Sequence, residues 1–503
     1  MTAPRRVSVA ILSWNGRQHL ETCLEALGEQ DDPGVGWEVL VLDNGSTDGT
    51  GAWLRSRYPQ GEIGTGEAPS PASSSPRPPR PPVRWLASPV NLGFCAGNNR
   101  LVRAASGDAV ALLNNDTRPA RGWLAALVGA LAAAPADVAA VSGKIVDWEG
   151  ERLDFGRGVM TFDGHAFQLD FRRPLRSARV PERGEELLFA CGGNMLIRRS
   201  SFLAAGGFDE SYFAYLEDVD LGWRLWSGGE RVTFEPAAVV HHRSSATSDL
   251  LGLFNRGFLF ERNAFLTAYK NYEPGLWEKV MPALLLTFLS RTQTMLADNN
   301  PGGGSLRIDP YAGWIANTAS PAPAAIASQP PPPTAATAAA TTAASAAAPA
   351  KPPVPRSGPP LSLARIRRKW REHGTRELCR RAAVKLRARL RAALAAAWAG
   401  GRGNAQEPAP RAPILTDERT VAQLRALSYL LSHLEAAATA REAVQRRRRR
   451  GDREIFARFP LYLVPTYPGD PFLFASPGFA AWLPAELPLV RHTLDELMEM
   501  DPL

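Results

Sequence analysis

VLVLDNGSTDGT, residues Val39 to Thr50, is an apolar run that stops at an aspartate and then turns sharply. From Glu38 to Asp43 the Val and Leu residues show no polar alternation, as a strand buried on both faces requires. Asn44, Gly45 and Ser46 supply the turn. Upstream, Val7 to Leu12 is a second such run, and Gln18 to Gly28 between them has helical spacing. Strand, helix and strand make the unit of a parallel sheet. A second pass follows, with Val83 to Leu86 as strand, Ala96 to Ala105 as helix and Ala109 to Leu113 as strand. The expected class is α/β, a mostly parallel sheet flanked by helices, and ligands of such sheets gather beyond the carboxyl ends of the strands.

Working outward, Trp123 to Ala134 reads as helix, Val138 to Val146 as strand, and Cys191 to Arg198 with the Gly206-Gly207 turn as strand and loop. A helix is expected from Glu217 to Trp226, and a strand from Thr233 to Val240. The chain has 503 residues, 45% of them hydrophobic, with 43 Gly and 43 Pro. One core rarely organises so many, so a full domain plus a substantial second region is expected. The α/β domain is drawn over residues 1–275, with a disordered Pro/Ser/Gly insertion at 61–82. An apolar helical extension follows at 276–299, then a Pro/Ala-rich disordered linker at 300–360, then a helical, Arg-rich region of no assigned role at 361–503.

Cys23, Cys95, Cys191 and Cys379 lie far apart, without zinc spacing or disulfide density, so reduced thiols in a cytoplasm are expected. The opening VSVAILSW is cut short by Asn15, Gly16 and Arg17 and reads as a core strand, not a signal peptide. No stretch holds the roughly 18 to 20 apolar residues of a spanning helix. The best candidate, Val280 to Leu289, contains Pro282, so any membrane contact is expected to be peripheral, at the inner face. The net charge of +8 concentrates in Arg365 to Arg391 and Arg446 to Arg450, where anionic lipid, nucleic acid or plain solvation each account for it.

Three acidic clusters carry the chemistry. Asp43 ends a buried strand, where a carboxylate can accept the imide N–H of uracil or thymine; a turn with a helix N-cap explains the same residues. Asn114, Asn115 and Asp116 end another strand. Asp116 can hold Mg²⁺ or Mn²⁺ together with diphosphate oxygens, or cap a helix begun by Pro119. Glu217, Asp218 and Asp220 share a first helical turn, where the helix dipole accounts for some of the charge. Beside Tyr212, Phe213 and Tyr215, a partly desolvated Asp218 makes a general base. His241 and His242 end a strand, and one imidazole can complete a metal or diphosphate site.

These segments resemble glycosyltransferase family 2, the GT-A type with a Rossmann-like sheet, and within it the rhamnosyltransferase-like branch. The resemblance covers about Val7 to Tyr272 and rests on VSVAILSWNG, DNGSTDGT, NLGFCAGNN (Asn91 to Asn99), LLNNDT, CGGNMLIRRSSFLAAGGFDESYF, LEDVDLGWRL and PAAVVHH, in that order. It implies an inverting enzyme that moves a sugar from a nucleotide-diphosphate sugar to a hydroxyl of a saccharide or lipid-linked acceptor, in cell-surface polysaccharide synthesis. It implies nucleotide-sugar contacts at Ser13, Asn15, Asp43, Asn44, Asn91, Gly93, Asn98 and Asn115. It also implies a divalent cation at Asp116 and His242, with His241 close by, the base at Asp218, and Glu217 shaping the acceptor side. The sequence departs from the family's paired acids in reading Asn114-Asn115-Asp116, with one carboxylate, and in carrying the 61–82 insertion.

Two other classes compete. A nucleotidyltransferase needs a glycine-rich, basic loop after the first strand, and Ser13-Trp-Asn-Gly16 has one glycine with one nearby base, Arg17. A non-catalytic scaffold with a lipid- or nucleic-acid-binding tail does not need Asp43, Asp116 and Asp218 intact.

Overall fold

The first strand, β1 (Arg6–Ser13), is buried along nearly its whole length, as is β2 (Gly36–Asn44), and helix α1 (Arg17–Gly28) joins them. The chain continues through α2 (Thr50–Arg57), β3 (Val83–Ser88), α3 (Gly93–Ala104), β4 (Ala109–Asn114), β5 (Thr117–Pro119), α4 (Trp123–Ala133) and β6 (Val138–Asp147). Then come β7 (Leu153–Phe155), β8 (Gly158–Met160), β9 (Ala166–Gln168), β10 (Asn194–Arg198), α5 (Arg199–Ala205), α6 (Glu217–Ser227) and β11 (Arg231–His242). This is a computed structural model, and the residues it describes are 3–63, 81–243, 252–300 and 417–498. Most of the 61–82 insertion, the 300–360 linker and the basic stretch from Arg365 to Arg391 lie outside the described residues.

One nine-stranded sheet runs in the order β3-β2-β1-β4-β10-β6-β11-β5, with β7 beside β6. Pairs among β3, β2, β1 and β4 are parallel, while β10 runs antiparallel to both β4 and β6. The register sets Ser13 opposite Asp43 and Leu12 opposite Asn114, so the polar ends of three strands emerge at one edge.

Two expectations are corrected. Pro119 does not start a helix: it ends β5, which pairs with Val240 of β11, and the helix begins at Trp123. The segment after Arg198 is not a loop but α5, closed by Gly206 at φ 94°, a left-handed position that suits glycine at a helix end. The helix that the capping reading of the Asp43–Ser46 turn called for is α2, whereas the long α7 (Gly252–Asn271) was not expected.

The apolar run from Val280 to Leu289 lies within α8 (Pro274–Asn299), which carries Pro282 in its interior. No helix among the described residues is long and apolar enough to cross a membrane. The chain then returns as α9 (Glu418–Ser432), α10 (Leu434–Arg447) and α11 (Asp452–Arg458). Described residues 417–498 belong to the same compact unit as residues 3–63, 81–243 and 252–300.

The arginine run is what fastens this return. Arg450 donates to the carbonyls of Trp226, Gly229 and Glu230 at 3.1 to 3.3 Å, and the backbone N–H groups of Arg449 and Arg450 donate to Ser227 O. A cation there faces the negative end of the α6 dipole. Arg448 pairs with Asp452 at 2.9 Å, Arg447 donates to Ala205 O, and Arg446 pairs with Glu442. The side chains of Arg447, Arg448 and Arg450 are thus used within the protein, whereas Arg446 pairs with Glu442 at the surface.

A buried ionic cluster fixes the same segment from the other side. His165 lies 3.3 Å from Asp163 and 3.2 Å from Glu261 of α7; Arg291 of α8 pairs with Asp163 at 2.9 Å and Asp470 at 3.1 Å. Tyr467 donates its hydroxyl to Glu261. Burial alone would lower the His165 pKa, but the charges of Asp163 and Glu261 outweigh it and raise it to about 9. A pKa raised on folding stabilises fully below the unfolded value of 6.5, and that contribution fades as pH rises through about 9. Unfolding free energy should therefore drop by about 3 kcal/mol between neutral pH and pH 10. Denaturant titrations of wild type and His165→Gln across that range check this: the variant should lose most of the slope, and parallel curves would contradict it.

Candidate active site

At the polar edge of the sheet lies a cavity of about 320 Å³. It is lined by Trp14, Asn44, Asn114, Asn115 and Asp116 at the strand ends, by His242 at the end of β11, and by Glu217 and Asp218 at the start of α6.

Asp116 and His242 meet because β5 and β11 pair: His242 stands opposite Thr117, and the Arg243 N–H donates to Asp116 O. β11 reaches that register past a bulge between Glu235 and Val239, where Pro236 has no N–H to give its neighbour. His242 Nε2 lies 3.3 Å from Asp116 Oδ1, and its Nδ1 lies 2.9 Å from Asp154 Oδ2 of β7. Burial opposes the charge on His242, but hydrogen bonds to Asp116 and Asp154 prevail and raise its pKa to about 10. Asp116 is likewise pushed up by burial and pulled further down by His242, ending below the ordinary carboxylate range. His241 points the other way, as alternate strand residues do, with Nδ1 3.2 Å from Trp148 O.

Glu217 and Asp218 open α6 after a loop in which Phe213, Tyr215 and Leu216 all have φ near +60° to +72°. Three non-glycine residues in that region are strained and persist only where the surroundings enforce them. Here α7 enforces them. Asn263 donates to the carbonyls of Tyr212, Ala214 and Tyr215 at 2.8 to 3.1 Å, and Arg262 donates to Tyr212 O at 2.7 Å. Asp218 Oδ2 accepts the Gly192 N–H at 3.1 Å and Oδ1 accepts the Val219 N–H. Burial raises the Asp218 pKa; burial and then the Asp218 charge push Glu217 well above its ordinary value. Both acids are thus biased toward the protonated form, Glu217 the more strongly. Asp220, the third acid, is structural: Arg224 at 2.7 Å and Lys270 at 3.0 Å neutralise it.

The remaining expected contacts divide. Asn44 donates to Asn91 Oδ1 at 2.9 Å and accepts the Leu92 N–H, a network that shapes the cavity floor together with Gly93. Asn115 lines the cavity and donates to Ser13 Oγ at 3.1 Å, so Ser13 acts through it. Asp43 accepts the Ser46 N–H at 3.1 Å and Asn15 accepts the Thr47 N–H at 2.7 Å, both holding the DNGS turn. Asn98 donates within its own helix to Phe94 O. Ser13, Asn15, Asp43 and Asn98 are not among the residues that line the cavity.

Gly93, at φ +81°, lets α3 approach the strained loop: a Cβ there would come within 2.5 Å of the Phe213 ring and 2.7 Å of its carbonyl. Gly93→Ala is expected to cost about 1–3 kcal/mol and to weaken nucleotide binding. A thermal melt with and without nucleotide checks this; an unchanged midpoint would contradict the close approach.

Sequence reasoning missed Trp14, Asp154, Arg262 and Asn263. Trp14 sits inside a quoted segment and was legible as an aromatic beside the site. The other three are placed by pairing and packing far along the chain and had no local signal.

A mostly parallel sheet with an acid and a histidine at its ligand edge, and a desolvated carboxylate on the same cavity, fits a nucleotide-sugar-dependent glycosyltransferase of the GT-A type. Comparison with known proteins agrees. Residues 8–204 match the family model described as glycosyl transferase family 2. The N-acetylglucosaminyl-diphospho-decaprenol L-rhamnosyltransferase of Mycobacterium tuberculosis (strain ATCC 25618 / H37Rv) is 32% identical over 260 residues, covering 48% of this chain and 76% of that protein. The rhamnosyltransferase WbbL of Escherichia coli (strain K12) is 32% identical over 96 residues, 18% of this chain and 36% of that protein. The pre-mycofactocin glycosyltransferase of the same Mycobacterium strain is 34% identical over 161 residues, 32% of each. The chain belongs to glycosyltransferase family 2, in its rhamnosyltransferase-like branch.

Proposed function

We propose that this enzyme transfers an L-rhamnosyl group, with inversion, from a nucleotide-diphosphate sugar to a hydroxyl of a lipid-linked saccharide in cell-surface polysaccharide synthesis. The observation that carries the reading is the placement of Asp218 on the same cavity as Asp116 and His242. The donor sugar and acceptor follow the names of the relatives with which the chain shares its branch.

Asp218 takes the proton of the acceptor hydroxyl as its oxygen attacks the anomeric carbon in line with the departing diphosphate. Its raised pKa makes it a stronger base than an exposed aspartate, and the two N–H groups on its oxygens fix its orientation. Glu217, pushed toward its protonated form by burial and the Asp218 charge, shapes the acceptor side. Asn44, Asn91, Asn115 and Gly93 are assigned to the donor through the cavity floor, and Ser13, Asn15, Asp43 and Asn98 to holding that floor and its turn.

The residues also fit a divalent cation. Among the described residues no group of three or more His, Cys, Asp or Glu gathers as a closed cage. Asp116, joined by His242 once its imidazolium releases the Nε2 proton, would form a half-site of the kind Mg²⁺ or Mn²⁺ completes with substrate phosphates and water. Bound there, the cation would offset the charge of the leaving diphosphate. Asp154 then orients the His242 ring through Nδ1. A cytoplasmic location, with peripheral contact at the inner membrane face, completes the proposal.

The test is a panel of UDP-, dTDP- and GDP-sugars, scored for transfer and for hydrolysis with and without Mn²⁺. Activity with a dTDP- or UDP-deoxysugar that depends on the cation supports the reading. Turnover of no nucleotide sugar would overturn it.

A further inference from the structure

A second cavity, about 1170 Å³, shares Cys191, Tyr215, Glu217 and Asp218 with the first. Its wall is built largely outside the family match at residues 8–204: Phe260 and Glu261 come from α7, Gln423 from α9, and Tyr467 from the segment after α11. The base Asp218 therefore faces one chamber on the donor side and a larger one completed by the returning C-terminal segment.

The second chamber carries polar groups that the protein leaves unanswered. Gln423 is 1% exposed, and neither its Oε1 nor its Nε2 has a hydrogen-bond partner among the described residues. Glu261 Oε2 and Glu217 Oε2 are in the same condition, at 2% and 6% exposure. A buried amide with no bond costs stability that an apolar residue of the same size would not. Such groups are explained by a ligand that bonds them. Two carboxyl groups and an amide call for hydroxyl or amide partners, and the rings of Tyr215 and Phe260, stacked 4.6 Å apart, offer an apolar face beside them. A neutral pyranose presents hydroxyls at its rim and C–H groups on its faces, which matches both features.

We propose that this chamber is the acceptor site and that Gln423, supplied from beyond the family domain, recognises the hydroxyl or acetamido groups of a neutral saccharide. The inference rests on the transferase reading. Arg256 and Arg419 also line the chamber, so an anion is the competing occupant.

The experiment uses the full chain with two probes, N,N′-diacetylchitobiose and decyl phosphate, followed by calorimetry and thermal melts. The disaccharide should bind saturably and raise the wild-type thermal midpoint, since a ligand that binds only the folded state stabilises it. Gln423→Met, close in volume and free of donors and acceptors, should bind the disaccharide roughly tenfold more weakly. Its own thermal midpoint without ligand should not fall, because no hydrogen bond is lost. No disaccharide binding to wild type would overturn the proposal, as would equal affinity in the variant, a lowered midpoint in the variant, or binding of decyl phosphate alone. Donor hydrolysis by wild type is read separately: its absence counts against the transferase reading, whereas its presence without disaccharide binding counts against this chamber alone.

Discussion

Asp218→Asn is expected to lower transfer by about 10³-fold or more, with nucleotide diphosphate affinity changed by no more than about twofold. The amide is nearly isosteric, and its oxygen can still accept the Gly192 N–H; only the local bond from the Val219 N–H in the first turn of α6 is lost, so the loop before α6 should keep its shape. What it loses is the capacity to take a proton. Glu217→Gln is the informative partner. Burial and the neighbouring charge push Glu217 toward its protonated form, which an amide imitates, so this change should cost far less. The wild-type rate should fall as pH drops through the raised pKa of Asp218, above the range of an exposed aspartate. Steady-state rates for both variants, with nucleotide binding by calorimetry, check the pair. Equal losses in both would refute the division of roles.

The second large effect falls on a residue that touches no substrate. Asn263→Leu should destabilise the protein by about 2 kcal/mol or more, because the buried carbonyls of Ala214 and Tyr215 each lose a donor at a cost of about 1–3 kcal/mol apiece. Tyr212 O keeps the Arg262 guanidinium, so the loss falls on the stretch whose left-handed residues aim α6 at the cavity. Without the clamp the loop should relax, and Glu217 and Asp218 should lose their position. The expected signature is a fall in kcat larger than any change in donor affinity, together with a lowered thermal midpoint. A variant that melts lower yet keeps full kcat would show that the strained loop holds its shape without α7.

The parallel core was legible because β1, β2 and β4 are buried on both faces and therefore read as unbroken apolar runs ending in polar turns. The acids at those ends were legible for the same reason. The choice of His242 over His241 came through the family resemblance alone, because which of the two faces Asp116 depends on the β5–β11 pairing and on a bulge at Pro236 that shifts the register. Strand alternation then turns His241 toward Trp148. Pro119 misled because proline opens helices and also ends edge strands, and only the partner strand decides between them. Asp154, Arg262 and Asn263 lie outside any recognisable motif; each acts by bonding a residue distant in sequence.

The arginine run teaches the same lesson at larger scale. As sequence, Arg446 to Arg450 reads as a solvated or lipid-binding patch, since charge density says nothing of partners. In the fold its members answer the carbonyls at the end of α6 and the acids Glu442 and Asp452. They anchor the segment that walls the second chamber.

The central claim is single-step displacement at the anomeric carbon with Asp218 as base. It is tested most directly by NMR of the sugar first released when the enzyme hydrolyses its nucleotide-sugar donor, recorded before mutarotation. The account requires the anomer opposite to that of the donor, formed by wild type and absent with Asp218→Asn. Release of the donor's own anomer would contradict it.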